Sequence, residues 1–470
     1  MTDSGTLAVR EPCEIDTAPI STGWRPLLRG AGLIGLAAVA SGVMTAVATK
    51  IFAAMLGPAE VAVLATLQQI RQSGLTVATL NGQTALITGL SARSGGERRE
   101  YLRTVLLLMT AATALVAAVV WIGPGWLASI TGLGAERAPL VRWLAVVVAL
   151  SCIMVFLSAV LNARGAIGGL ALVQFASPAA MAVLAYPIAR TVRVGHEGAL
   201  VAWLVAAALV AIGLARVVLR RQSIRHWFRG DGCWWSSRAA RGFLTISGAM
   251  LASGTVASLV LVSARSRILH RQGFMVAGQF DAAWAISMNH VSLVLASLQT
   301  CCLPVLARIS SRTERGTHLN RMLTSAALAA TAAICVIALL KPLVVTWLYS
   351  DAFRDAAMYL RWTLLGDYLK VSSWVLSIPM LASADMRLFL TADLGAYVVF
   401  AGGTAAASYF RGAAEGTAIA FVLMYAAHLG ITGAIAWLRY GFRPARWTTL
   451  IWMGGLLAVV AVSVATWETR

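Results

Sequence analysis

Charge is scarce in this sequence, and acidic charge is scarcer still. Only 12% of the 470 residues are charged, with 19 Asp and Glu against 38 Lys and Arg. A soluble domain of this size carries roughly 25% charged residues, so a soluble chain is excluded. The six cysteines (Cys13, Cys152, Cys233, Cys301, Cys302 and Cys335) form no Cys-x-x-Cys pair and no Cys/His cluster. Neither a disulfide framework nor a metal site is expected. The first 29 residues lack the basic-then-apolar layout of a signal peptide. No basic patch is interleaved with exposed aromatics. The net charge of +19 and pI of about 10.8 therefore speak for membrane orientation and against nucleic-acid binding.

What is abundant is apolar sequence. The chain is 59% hydrophobic, with a mean hydropathy of +0.77. Apolar windows predict an all-α polytopic membrane protein with helices over 28–55, 60–91, 103–124, 138–162, 167–190, 198–219, 241–265, 275–307, 321–349, 357–382, 386–410, 414–438 and 447–466. Arginines cluster in alternate loops, which places the N-terminus in the cytoplasm. The expected organisation is a cytoplasmic segment (1–29), a first six-helix lobe (30–219), a cytoplasmic linker (220–240), a second six-helix lobe (241–438), and a loop with a thirteenth helix (439–470).

The chain repeats itself. A shift of 216 residues carries Gly57 onto Gly273 and Gln83-Thr84 onto Gln299-Thr300. A shift of 219 carries Arg142-Trp143 onto Arg361-Trp362 and Leu150 onto Leu369. Six helices separate the repeats. An even number inserts both lobes the same way up, related by a pseudo-two-fold axis along the membrane normal. Two such lobes rocking about a shared cavity are the mechanical signature of a transporter; a membrane enzyme can also have repeats, so the site decides, and no enzyme is expected. No loop is long enough to form a catalytic domain, and no carboxylates cluster as a membrane glycosyltransferase or polymerase requires.

Charges inside the spans point to the site. Thr363, Asp367, Lys370, Ser373 and Ser377 share one face of the tenth helix. A charge exposed at mid-bilayer costs roughly 3 kcal/mol, so Asp367 and Lys370 are expected to face protein or a wet cavity. The shift of 219 carries Asp367 onto Val148 and Lys370 onto Ser151, so the repeat itself does not demand these charges. The alternative is a structural ion pair that locks the helix. Arg71, Lys50, Arg265 and Arg267 join Lys370 in a cationic set suited to an anion, since guanidinium binds phosphate in a bidentate way. For Lys50, Arg265 and Arg267, snorkelling to the interface is the competing account. Asp281 is a further intramembrane carboxylate. Asp393 and Glu415 are assigned no role, and His290 and His428 are read as packed. Pro304, Pro342 and Pro379 bend or end helices of the second lobe.

These stretches resemble a known family. KIFAAMLGPAEVAVLATLQQI (50–70), RSRILHRQGFMVAGQFDAAWAIS (265–287), LQTCCLPVLARIS (298–310) and LLGDYLKVSSWVLSIPMLA (364–382) resemble the O-antigen translocases, over about residues 30 to 440. These are the polysaccharide branch of the multidrug, oligosaccharidyl-lipid and polysaccharide exporter superfamily. The resemblance implies a flippase. It would carry a polyprenyl-diphosphate-linked oligosaccharide, an O-antigen or exopolysaccharide repeat unit, across the bacterial inner membrane by ion-coupled alternating access. The residue reading fits this expectation, with the diphosphate at Arg71, Lys370, Lys50, Arg265 and Arg267, and coupling by H+ or Na+ at Asp367 and Asp281. No cofactor is expected. The expected partners are the lipid-linked oligosaccharide, membrane lipids, a polysaccharide polymerase and a chain-length regulator, with the chain itself monomeric. The thirteenth helix departs from the family's usual twelve. Competing assignments are a multidrug exporter, which typically carries an acidic residue in its first helix where residues 30–56 have none, and a peptidoglycan-precursor flippase.

Overall fold

The computed structural model describes residues 24–221, 234–309, 311–383 and 385–466, without the side chains of 24–34, 221, 290, 292–294 and 296–308. Most of the N-terminal segment and of the linker lies outside the described residues. So do Cys13 and Cys233 and the side chains of His290, Cys301, Cys302 and Pro304.

The described residues are helical apart from short turns. In lipid, backbone polar groups must be satisfied within the protein, and a helix does so within one segment. The first lobe holds α1 (Trp24–Leu56), α2 (Pro58–Ala78), α3 (Gln83–Ser91), α4 (Gly95–Ile122), α5 (Pro124–Thr131), α6 (Ala138–Ala163), α7 (Ile167–Arg193) and α8 (Ala199–Arg221). The second begins with α9 (237–272) and α10 (274–308), which meet at a break at Gly273. It continues with α11 (Arg312–Leu339), α12 (Lys341–Leu348), α13 (Ala356–Ala382), α14 (Met386–Arg411) and α15 (Ala413–Tyr440). The additional helix, α16 (Arg446–Ala465), packs on α11 and α13 of the second lobe. Ten stretches among the described residues are long and apolar enough to cross a membrane, and one of them, Ser237–Asn289, bends at Gly273. The chain is a multi-pass membrane protein of two helical lobes.

The repeat is visible in the backbone. Gly57 sits at φ 79° and ψ −178°, and Gly273 at φ 80° and ψ 177°. Only glycine holds this conformation without strain. Both residues turn one helix into the next, so α1–α2 and α9–α10 are the same device used twice. Two expected spans differ from the structure. The 60–91 span divides into α2 and α3 because Leu80 and Asn81 take positive φ, and Asn81 Nδ2 donates to the Met250 carbonyl at 2.7 Å. The 321–349 span divides at Leu340, where Pro342 opens α12 and cannot donate to the preceding turn.

The lobes meet on both faces. On the face holding the two glycine junctions, α2 packs on α10 so closely that a Cβ at Gly278 would lie 1.9 Å from the Pro58 carbonyl oxygen. The second lobe's core there extends into Ala53, Val61 and Ala62. On the opposite face, α9 starts inside the first lobe's core, where Phe243 is buried with Leu86, Tyr101 and Phe156. Thr104 Oγ1 accepts from the Ser236 N–H at 3.1 Å.

Candidate functional site

α13 is the axis of the second lobe. It contacts α10, α11, α14, α15 and α16, and most of its residues are buried. Leu364, Tyr368, Val371 and Val375, on the side away from the polar stripe, are enclosed as fully as the stripe itself. α16 closes that side: the Tyr368 hydroxyl donates to the Trp452 carbonyl at 2.7 Å, and Trp452 Nε1 donates to Ser372 Oγ at 2.8 Å.

Asp367 is 0% exposed, with Lys370 on its own helix and Ser287 of α10 beside it. The Lys370 ammonium has the Asp367 carboxylate of its own helix as its charged neighbour. It lies 3.2 Å from the Met288 sulfur and faces the rings of Phe421 and Tyr425 at 5.9 and 5.5 Å. Aromatic faces stabilise a cation without neutralising it. Phe421 reaches this position because Gly366 leaves room: a Cβ there would lie 2.3 Å from the Phe421 ring.

Arg71 on α2 is under-used. Its Nη1 donates to Ser151 Oγ of α6 at a long 3.4 Å. Its buried Nε has no hydrogen-bond partner among the described residues. Arg71 and Ser287 each lie fourteen residues beyond their junction glycine. Lys370 takes the place in α13 that Ser151 takes in α6. The two lobes thus build the same helix pair with the residue types exchanged. The first has a cation on α2 and a serine on α6; the second has a serine on α10 and a cation on α13.

The remaining expected site residues sit at the lobe contact. Arg265 Nη2 pairs with Asp281 Oδ1 at 2.7 Å, and its Nη1 reaches Gln69 Oε1 of the first lobe at 3.2 Å. Lys50 Nζ donates to the Thr346 carbonyl of α12 at 2.8 Å. Arg267 donates to the Ser263 carbonyl of its own helix at 3.3 Å. Each of these three cations meets a protein oxygen, while Arg71 meets Ser151 and Lys370 stands beside Asp367 of its own helix.

Two clusters were invisible to sequence reasoning. Glu415 accepts from Arg361 Nη2 at 3.0 Å and from Trp362 Nε1 at 3.1 Å. His428 Nε2 lies 3.3 Å from Asp393 Oδ1. Each joins residues of separate helices, so no spacing along the chain announces it. The one signal was the presence of Asp393 and His428 in apolar spans, which by itself marks a functional candidate.

No family model matches the chain. It is 23% identical over 252 residues to the lipid III flippases of Escherichia coli (strain K12) and Shigella flexneri, over 53% of this chain and 60% of theirs. The chain thus matches about three fifths of the length of these curated relatives. Its fold resembles an inward-facing MATE family multidrug transporter (TM-score 0.64, 14% identity, 90% of this chain and 96% of that one). It also resembles the lipid II flippase MurJ in an inward closed conformation (TM-score 0.61, 13% identity, 94% of this chain and 99% of that one). The MATE multidrug transporter DinF-BH gives a TM-score of 0.66 at 14% identity, over 92% of this chain and 99% of that one. The chain therefore has the two-lobed, all-helical fold that MATE transporters and the lipid II flippase share.

Proposed function

We propose that this protein is a flippase of the bacterial inner membrane. Its substrate is a polyprenyl-diphosphate-linked oligosaccharide, moved from the cytoplasmic to the periplasmic leaflet. The observation that carries the reading is the pair of intramembrane cations Arg71 and Lys370, one from each lobe, on opposite members of the repeated helix pair. A diphosphate has two anionic centres. Binding it between lobes would tie their relative position to occupancy, which is what alternating access needs. The sugar chain occupies the polar interior and the polyprenyl tail stays in lipid. The glycine-junction face is then periplasmic, with the N-terminus in the cytoplasm. Likeness to lipid III flippases supports the substrate class.

The MATE-like fold also suits a multidrug exporter. Arg71 and Lys370, two partly buried cations of which Lys370 stands beside Asp367, favour an anionic substrate over the organic cations such exporters take. The test is complementation of a flippase-null strain at matched protein levels. Arg71→Ala and Lys370→Ala should each abolish flipping, whereas normal flipping in either variant would overturn the reading. Asp367→Asn combined with Lys370→Ala separates a working site from a structural pair. Recovery in the double variant would assign the two residues to structure.

A further inference from the structure

Three arginines gather at the glycine-junction end of the second lobe. Arg267 and Arg271 are one turn apart on α9, with Arg271 the charged neighbour of Arg267. Gln272 fastens this end of α9 to the turn between α14 and α15. Its Oε1 accepts from the Ala414 N–H at 2.7 Å, and a Cβ at Gly412 would lie 2.9 Å from its Nε2. Arg411, the last residue of α14, opens that turn. The Arg271 guanidinium stands 6.0 Å from the ring of Tyr409, two residues before Arg411. Two helices thus bring the three arginines to one edge of the lobe.

Other arginines of this face are matched by acids. Arg137 pairs with Glu197 at 2.9 Å, Arg354 with Asp351 at 3.0 Å and Arg361 with Glu415 at 3.0 Å. The next carboxylates along the chain from the cluster are Asp281 and Glu415, and these are taken by Arg265 and Arg361. Among the described residues, no carboxylate pairs with Arg267, Arg271 or Arg411. Like charges one helical turn apart repel, so the cluster is unfavourable by itself. Topology does not account for it either. Orientation is set by Lys and Arg in cytoplasmic loops, and this is the opposite face.

The cluster faces the surrounding membrane. The lobes touch on this face, so groups exposed at this level look outward and not into a cavity between lobes. Leu259, Ser263, Arg267 and Arg271 follow one another at four-residue spacing, on one side of α9. Leu259 is 63% exposed, and beside the arginines Tyr409 is 83% and Phe410 86% exposed. Outward aromatics next to arginines mark the depth where hydrocarbon gives way to headgroups. A ligand at this depth meets apolar side chains below and guanidinium groups above. Guanidinium holds a phosphate through paired N–H bonds. A phosphate carried on acyl chains meets both requirements.

We propose that Arg267, Arg271 and Arg411 bind the phosphate of an anionic phospholipid in the leaflet at the glycine-junction face, with its acyl chains along the Leu259–Ser263 side of α9. The lipid phosphate stands where a carboxylate stands for the other arginines of this face, and it ties the end of α9 to the α14–α15 turn. Arg267 then serves the perimeter of the second lobe, a role the diphosphate reading leaves open. The inference goes beyond the flippase reading and takes from it only that this face is periplasmic.

The experiment uses full-length protein in phosphatidylcholine nanodiscs, with the native cysteines replaced and a bimane fluorophore at Ser263→Cys. Ser263 is exposed and offers Arg267 only its backbone carbonyl. A small fraction of phosphatidylglycerol or of phosphatidylcholine, each with a nitroxide on its acyl chain, is added, and the quenching is compared. Phosphatidylglycerol should quench preferentially. Arg267→Gln, Arg271→Gln and Arg411→Gln should each cut that preference about fivefold, and the triple variant should show none. Arg271→Lys, which keeps the charge, should retain most of it. A bimane at Val183→Cys, on the perimeter of the first lobe and 75% exposed, should show no preference. Equal quenching by the two lipids in the parent protein, or an unchanged preference in the triple variant, would overturn the proposal. Loss of the preference on adding millimolar inorganic phosphate at constant ionic strength would give the site to a soluble anion and overturn the lipid assignment. No flipping is measured, so failure here is separate from failure of the flippase reading, which the Arg71 and Lys370 complementation decides.

Discussion

Gly278→Ala is the sharpest test of how the lobes meet. The new Cβ would lie 1.9 Å from the Pro58 carbonyl oxygen, 2.5 Å from its carbon and 2.9 Å from its Cα. All three atoms are backbone, so no rotamer change relieves the clash. Reaching ordinary contact requires α10 and α2 to part by roughly 1 to 1.5 Å. Pro58 is the first residue of its helix and follows Gly57 at φ 79°, so local yielding is limited and the strain falls on the lobe contact. Overpacking of this kind costs about 1–3 kcal/mol. If the cost applies only where the lobes touch on this face, the population shifts about 5- to 150-fold away from that conformation. Labels at Glu136→Cys and Asp351→Cys, one on each lobe, read the change by double electron–electron resonance as a longer distance. Gly402→Ala, a helical position with nothing within 4 Å of the new Cβ, should leave the distance alone. A folded Gly278→Ala protein with an unchanged distance would refute the account of this contact.

Gly366→Ala should push Phe421 away from the Lys370 ammonium, since the new Cβ would lie 2.3 Å from its ring; a loss of about 1–3 kcal/mol in thermal stability is expected, with flipping impaired. Arg265→Gln leaves Asp281 buried without its 2.7 Å partner and should cost about 3–5 kcal/mol. Adding Asp281→Asn should restore much of that stability, and a double variant no better than the single would remove the pair from the account of the lobe contact. Trp452→Ala deletes an indole that donates to Ser372 and packs beside Tyr368. It should lower the melting temperature, while a surface change at Trp447, on the same helix and 76% exposed, should not.

Much of the architecture was legible because a bilayer admits few solutions. Each apolar run had to be a helix, and the glycines at 57 and 273 repeated at one interval because one turn was built twice. The breaks inside 60–91 and 321–349 were not legible. The first depends on Asn81 finding the Met250 carbonyl on another helix, and the second on a proline step that a hydropathy window averages away. Among the site residues, Arg71 and Lys370 were conspicuous as charges in apolar sequence. So were Arg265, Lys50 and Asp281, and sequence could not separate the two groups.

That separation came from tertiary structure. The sequence by itself determined that the chain spans a membrane repeatedly, that its halves repeat, and that basic residues dominate its interior charge. These properties follow from composition and interval, which need no knowledge of neighbours. Only the fold decided that Asp281 pairs with Arg265 and that Lys370, with Asp367 on its own helix, also faces sulfur and aromatic rings. Only the fold brought Asp393, His428, Ser373 and Ser253 from four helices to one point. Ion pairing and hydrogen bonding depend on distances of about 3 Å, and those distances are set between helices far apart in the chain.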